Sequence, residues 1–393
     1  MNNDRTVVLF TEHFPDIGGG QVSLLNRLKY LDRSQFKPIV VVPKETGTLH
    51  RELKKQDVET IEMRMNQGGI RSQNEKGILR SPHQLVKNTA VVGSATYNLI
   101  RTILSKNVDI IHTNSFKSSV LSVLPARITG VPLVYHAHSS RAYSEHGILD
   151  RYVCSNAALI IANSQFTAKT YYPWERKTSI VYNGFDLDQF KPLTDEMNEI
   201  RARYGVEQNQ PLIGVVGRLT PRKRQIDLIR ALPKILEKYP RTQTLLIGSS
   251  YEGLGKDYEE QLKTEIDKLG LNESVTITGY VEEIQQHISA LDVLLLPSVR
   301  EPFGRVIVES LLLETPVIGA NDGGIPEIIT DGRSGKLIPP KAPKAIADAV
   351  LTYLDDPDKA EQMAKVGRQT VRMQFEARNI TEQIEQFYQG VTG

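Results

Sequence analysis

Only one cysteine, Cys154, occurs in the 393 residues, so no internal disulfide can form and a reducing compartment is expected. It lies in Tyr152-Val153-Cys154-Ser155, with no catalytic or metal-ligand spacing around it, and a buried structural thiol is the expectation. Long apolar runs are also missing. The first run, residues 6–10, is too short for the apolar part of a signal peptide. No run approaches the roughly 20 residues that span a bilayer. The expectation is a cytoplasmic protein, in solution or peripheral at the inner face of the membrane. No strand-like segment is followed by G-x-G-x-x-G and a spaced acidic residue, which disfavours a nicotinamide dinucleotide. Without a dense Lys/Arg block or zinc-ligand spacing, nucleic acid is not indicated either.

What is present is ordinary globular composition, 40% apolar and 24% charged, on a chain too long for one hydrophobic core to be the natural choice. The net charge of +2 conceals an asymmetry. Residues 1–192 hold 24 Lys and Arg against 16 Asp and Glu, a balance of +8; the remaining 24 against 30 give −6. Either the basic half meets something anionic, such as a membrane surface or a phosphorylated acceptor, or its cations are simply scattered in solvent.

Short apolar runs alternate with helical patterns. Strands are expected at 7–10, 38–42, 109–113, 132–135, 158–162 and 179–182, then at 212–216, 244–247, 275–278, 292–296 and 316–319. Most runs are continuous rather than alternating, as in parallel strands buried on both faces. Between them, Ile226, Ile229, Leu232, Ile235 and Leu236 recur at helical spacing. Two sets of strand–helix units imply an α/β protein of two doubly wound, Rossmann-like domains. The expected domains are 1–192 and 193–375, with a final helical segment at 376–393. Residues 191–211 read as the linker region and 64–84 as a polar loop. In the last segment Ile380, Ile384 and Phe387 share one side of a helix over 377–388, which needs a surface to dock on.

Chemistry concentrates after the run at 292–296, in Glu301-Pro302-Phe303-Gly304 and the helix expected over 303–313. The carboxyl edge of such strands binds ligands, and a helix N-terminus there favours phosphate. Glu301 precedes the helix and Glu309 lies within it. Spacing alone leaves open a hydroxyl and ribose pair, an acid and base, a metal site, or a structural role. A second segment, Gly214-Val215-Val216-Gly217-Arg218-Leu219-Thr220-Pro221-Arg222-Lys223-Arg224, is a strand, a glycine turn and clustered cations. Gly217 permits close backbone approach, Arg218 can grip phosphate oxygens in a fork, and Lys223 adds a point charge. The third cue, Gly18-Gly19-Gly20 between the first strand and helix, is by itself only a flexible turn.

Together these segments resemble the glycosyltransferase family 4, or glycosyl transferases group 1, over nearly the whole chain. Glu301 and Glu309 match its E-x7-E motif. Gly217, Arg218, Leu219 and Lys223 match G-R-L-x-x-x-K, and Gly18 and Gly19 match the N-terminal glycine pair. Val134-Tyr135-His136-Ala137-His138 is similar to the strand that ends in the family histidine. Asn183-Gly184-Phe185-Asp186 fits its N-G-x-D turn, and Pro316-Val317-Ile318 with Gly323-Gly324-Ile325-Pro326-Glu327 continues the pattern.

The resemblance implies a GT-B fold, two domains facing a central cleft with the C-terminal helix crossing back to the first. It implies a retaining hexosyltransferase that uses a nucleoside-diphosphate sugar, UDP ahead of GDP, and an unidentified hydroxyl acceptor. Arg218 and Lys223 would stabilise the departing diphosphate, Glu309 would hold the ribose and Glu301 the sugar hydroxyls. Gly217, Pro302, Phe303 and Gly304 would line the donor, His138 would touch the sugar, and Gly18–Gly20 would lie by the acceptor or its phosphate. No metal and no cofactor are expected, and Asp186-Leu187-Asp188 reads as part of a structural turn. The alternatives are a GT-B epimerase or phosphorylase and a catalytically silent sugar-nucleotide-binding partner. Two residues depart from the family pattern: Arg224 stands where glycine is usual, and Gln21 where an acid often follows the glycines. His13, His112 and His136 read as structural.

Overall fold

A computed structural model describes residues 5–44, 47–64, 82–139, 147–191, 193–250 and 256–392, without the side chains of residues 82–91, 194 and 195. The chain divides into two compact units, Met1–Phe185 with Ala377–Gly393, and Asp186–Glu376.

In the first unit the strands are β1 (Thr6–Thr11), β2 (Phe36–Pro43), β3 (Glu59–Met63), β4 (Ile110–Thr113), β5 (Leu133–Ala137), β6 (Leu159–Ala162) and β7 (Thr178–Ile180). Among the described residues they form one sheet in the order β3-β2-β1-β4-β5-β6-β7, with parallel pairing throughout. The crossovers are α1 (Gly19–Tyr30), α2 (Thr48–Lys55), α3 (Pro82–Lys106), α4 (Phe116–Thr129), α5 (Ile148–Asn156) and α6 (Gln165–Lys169). The continuous apolar runs have a direct cause. Val7 and Leu9 of β1 pack on one face with Leu99, Val123 and Tyr135. Val8 and Phe10 pack on the other with Leu24 and Leu28. Both faces are dry, so no alternation is seen. Cys154 is buried in the first of these clusters.

The second unit opens with α7 (Thr194–Arg203), then β8 (Leu212–Val216), α8 (Gln225–Lys238), β9 (Gln243–Ile247), α9 (Lys256–Leu269), β10 (Val275–Gly279), α10 (Ile284–Ala290) and β11 (Val293–Leu296). It continues with α11 (Arg305–Leu312), β12 (Val317–Ala320), β13 (Lys336–Ile338), α12 (Pro343–Asp355) and α13 (Pro357–Gln374). The sheet order among the described residues is β10-β9-β8-β11-β12-β13. In each sheet the winding reverses at one place, between β1 and β4 and between β8 and β11, and such points open the ligand crevice of doubly wound sheets.

The last helix, α14 (Ala377–Thr392), belongs to the first unit. Ile380, Ile384 and Tyr388 are buried with Leu24 and Leu28 of α1 and with Phe36, and the Tyr388 ring meets Phe36 edge-on at 5.6 Å. The expected face was right at Ile380 and Ile384, whereas Tyr388 goes deeper than Phe387, which is only partly buried.

Three differences from the sequence reading have physical causes. β3 and β13 were not expected: both are edge strands with polar, part-exposed positions that break the apolar run. The stretch read as a linker carries α7, anchored by Arg201, whose Nη1 donates to Ala290 O at 2.9 Å. The helix expected over 303–313 starts at Arg305, because Phe303 is instead buried edge-on against Phe375 at 5.3 Å. Most of the loop expected at 64–84 lies outside the described residues.

Candidate active site

In the second unit, β8 and β11 are adjacent and parallel, so the segments that follow them leave the same edge side by side. Val299 N donates to Arg222 O at 2.9 Å and ties the two segments together. Here Lys223 Nζ donates to Glu301 Oε2 at 2.9 Å, and Arg222 Nη1 reaches the same oxygen at 3.3 Å. Glu301 is 8% exposed. Burial alone would raise its carboxyl, but the charges of Lys223 and Arg222 outweigh burial and hold it below the usual carboxylate value. Behind it, Gly324 N donates to Glu301 O at 2.8 Å. Gly323, at φ +67°, is so close that an added Cβ would stand 2.3 Å from that carbonyl oxygen, so only glycine fits.

Gly217 follows β8 at φ +146° and lies against Lys223, whose Cε an added Cβ would meet at 3.2 Å. Arg218 is exposed, and among the described residues its guanidinium makes no ion pair. The structure therefore brings Lys223 and Glu301 together, and among the described residues Arg218 does not join that ion pair. Arg224 occupies the position where glycine is usual in the family, and its φ of +56° shows why: the backbone there is left-handed. A two-pronged contact, Nε and Nη2 to Asp227 at 2.8 and 2.6 Å, holds it.

Gly304 directly precedes α11, after Pro302 and Phe303. One turn into the helix, Glu309 Oε1 accepts from Arg305 Nη2 at 3.3 Å. The Asp186 carboxylate is buried and accepts from Gln189 Nε2 at 2.6 Å within a turn at Leu187–Gln189.

In the first unit, Gly18 precedes α1, and Gly19 and Gly20 open it. Gln21 is explained locally, for its Oε1 accepts from Gly18 N at 3.0 Å, as the third residue of a capping box does. His138 directly follows β5. Its Nε2 lies 3.0 Å from Asn114 Oδ1, and its ring stacks on that of His136 at 4.2 Å and 14°. Gly20 packs beside both, an added Cβ standing 3.7 Å from Asn114 Nδ2 and from His138 Cδ2.

Beneath this surface is a buried polar network. Arg27 Nη1 donates to His112 Nε2 at 3.1 Å and Nη2 to His136 Nδ1 at 2.8 Å. His112 Nδ1 in turn lies 2.7 Å from the Tyr388 hydroxyl. Burial first, with the Arg27 charge adding to it, holds His112 and His136 well below the ordinary imidazole value, so both are neutral at neutral pH. Both are buried within this network, and among the described residues His136 Nε2 has no hydrogen-bond partner. His13 Nδ1 is 2.5 Å from Ser115 Oγ.

The sequence reading did not single out Glu12, Asn114, Arg27 or Arg305. Glu12 and Asn114 each directly follow a strand, β1 and β4, at the one winding reversal of their sheet. A polar residue at that edge is the signal that was available.

Set against known proteins, residues 196–370 match the family described as Glycosyl transferases group 1, and residues 17–189 match Glycosyltransferase Family 4. A solved structure of Anabaena HepE with UDP and glucose superposes at a TM-score of 0.81, with 26% identity, over 97% of this chain and 98% of that one. The complex of the same protein with UDP-glucose gives 0.83, with 25% identity, over 98% and 100%. Two parallel doubly wound units of this kind define the GT-B fold. The chain belongs to the family 4, group 1 glycosyltransferases. Among curated relatives, the alpha-D-kanosaminyltransferase of Streptomyces kanamyceticus is 32% identical over 264 residues, 62% of this chain and 66% of that protein. The D-inositol 3-phosphate glycosyltransferase of Streptomyces avermitilis is 30% identical over 281 residues, 65% of this chain and 60% of that protein. The matches thus span somewhat less than two thirds of these relatives' lengths.

Proposed function

We propose that the protein is a retaining glycosyltransferase that moves a hexose-type sugar from a UDP-linked donor to a hydroxyl acceptor, without a metal. The observation that carries the reading is the convergence of Lys223, Arg222 and Glu301 at the edge where β8 and β11 part. The UDP and UDP-glucose complexes of HepE support the choice of nucleotide. Lys223 and Arg218 would neutralise the diphosphate as the anomeric carbon–oxygen bond breaks. Glu309 would accept from the ribose diol, Glu301 would orient the sugar hydroxyls and His138 would touch the sugar. The acceptor hydroxyl would attack from the face the diphosphate leaves and lose its proton to it. Such a reaction depends on positioning and on preorganised charge more than on a strong base.

The test is a metal-free panel of UDP- and GDP-linked sugars, assayed for binding and for slow release of the nucleoside diphosphate, with the anomer of any product read by NMR. Selective release from a UDP-sugar with retention supports the reading. A folded protein that binds none of the panel overturns it.

Within the same proposal the first unit rests on an anionic membrane. Among the described residues no helix is long and apolar enough to cross one. The support is a pair of adjacent helices, α3 and α4, with no Asp or Glu in either. They expose Tyr97, Leu104, Leu124 and Ile128 beside Arg101 and Arg127. Apolar side chains among unopposed cations are what an anionic lipid surface binds.

A further inference from the structure

Glu12 is completely buried. Its Oε1 accepts from the backbone N–H groups of His13 at 2.7 Å and Phe14 at 3.2 Å. Its Oε2 accepts from Asn114 Nδ2 at 2.9 Å. Burial pushes this carboxyl up, but the hydrogen bonds and charge of His13 and the bond from Asn114 outweigh it and keep it below its ordinary value. Glu12 is therefore an anion, and a carboxylate anion only accepts hydrogen bonds.

That restriction propagates. The Asn114 atom facing Glu12 has to be the NH2 group. The second hydrogen of that group is used as well, for Nδ2 also donates to Gly20 O at 3.0 Å. Turning the amide over would set its oxygen against a carboxylate and a carbonyl, two acceptor-to-acceptor contacts in a buried place. The amide oxygen consequently faces His138, 3.0 Å from Nε2. An amide oxygen has no proton to give, so His138 Nε2 has to carry one.

We propose that Glu12 and Asn114 are positioning residues that lock His138 in the tautomer protonated at Nε2. The carboxylate fixes the amide, the amide fixes the imidazole, and the stack on His136 fixes the ring plane. His136 has its own orientation set from below by Arg27. Two chain segments far apart in sequence, the ends of β1 and β4, thus decide how a residue after β5 presents its nitrogens. The significance for catalysis rests on the proposed contact of His138 with the donor sugar; the tautomer itself does not.

Two variants test the lock. In Glu12→Gln the backbone donors hold the side-chain oxygen, so an NH2 group replaces the second carboxylate oxygen and faces Asn114. As built, that sets donor against donor; turning the amide over relieves it but sets its oxygen against Gly20 O, so neither orientation is locked and His138 with the proton on Nδ1 gains population. In Asn114→Ala the acceptor is gone, while Asn114→Asp restores one at the same place, because two carboxyl groups this close share one proton and the oxygen that faces His138 stays an acceptor. The primary readout is the 15N and 13C NMR signature of the His138 ring, identified by its loss in His138→Asn, in the full chain without substrate.

The expected result is a protonated Nε2 in the wild type and in Asn114→Asp, a shift toward protonated Nδ1 in Glu12→Gln, and a mixture in Asn114→Ala. A wild-type ring protonated on Nδ1 overturns the proposal, as does the same tautomer in all variants. If Glu12→Gln does not fold, the Asn114 pair decides. The second readout is kcat/KM for UDP-sugar against affinity for UDP. The sugar term is expected to fall about tenfold in Glu12→Gln and Asn114→Ala, to recover in Asn114→Asp, and to leave UDP affinity unchanged. A tautomer shift without any effect on sugar transfer would leave the lock standing and remove His138 from the sugar site.

Discussion

Lys223 and Glu301 are hydrogen-bonded to each other, Nζ to Oε2 at 2.9 Å, although the family resemblance implies that one meets the diphosphate and the other the sugar. The pair keeps a buried carboxylate ionised and keeps the ammonium at the edge where the leaving group would form. Arg222, the second cation on the same oxygen, is partly exposed and hydrogen-bonds Arg300 O at 3.3 Å. It braces the loop that carries Glu301.

Lys223→Ala should therefore lower turnover more than affinity. A loss of about 10²–10³-fold in kcat is expected where a preorganised charge stabiliser is removed. Steady-state kinetics with a UDP-sugar checks this; an unchanged kcat would take Lys223 out of the reaction.

Glu301 also predicts a pH dependence of stability. Its folded pKa lies below its unfolded one, so the stabilisation is complete above the unfolded carboxylate value of ~4.3. It is lost as pH falls through the folded value. Urea unfolding of wild type and Glu301→Gln should differ by roughly 1–3 kcal/mol at neutral pH, with the gap narrowing in strong acid. A gap that stays constant down to the acid limit would mean that the ion pair does not stabilise the fold.

Glu309→Ala is expected to weaken UDP binding about tenfold, the size of a lost charge-assisted hydrogen bond. Arg305→Met should weaken it less, since Glu309 keeps its charge and loses only the 3.3 Å contact that orients it. Calorimetry with UDP and with 2′-deoxy-UDP separates the cases. If Glu309 holds the ribose diol, Glu309→Ala costs less with the deoxy ligand, and equal losses would place Glu309 elsewhere.

For the first unit, sedimentation with phosphatidylserine vesicles should show binding that rising salt reverses. Leu104→Ser combined with Ile128→Ser should reduce it severalfold, because the apolar anchor is lost while the charge is kept. Binding that ignores both salt and these substitutions would reject the α3–α4 face.

The legibility of the sequence followed burial. β1, β8 and β11 could be read because both faces of each are dry and the apolar run is unbroken. β3, with Glu59, Thr60, Ile61, Glu62 and Met63, is half exposed at a sheet edge and mixes polar with apolar residues. The three residues of β13 are too few for any period to show. Lys223 and Glu301 stood out because charge clustered beside glycine and proline, and the structure sets them in contact. Glu12 and Asn114 did not, because their meaning lies in a 2.9 Å bond between residues 102 positions apart. Arg27 looked like an ordinary cation on a helix, and its burial among His112, His136 and Tyr388 depends on α14, made more than 340 residues later.

Ala377 N donates to Phe185 O at 2.9 Å, which makes residues 186–376 an insertion whose two ends meet. This gives synthesis an order. All of the second unit's contacts are available once Glu376 has been added, and domains fold as units while the chain is being made. The first unit has to wait for the 16 residues of α14, and until then Leu24, Leu28 and Phe36 lack the cover of Ile380, Ile384 and Tyr388. The unit made first is the one whose core closes last.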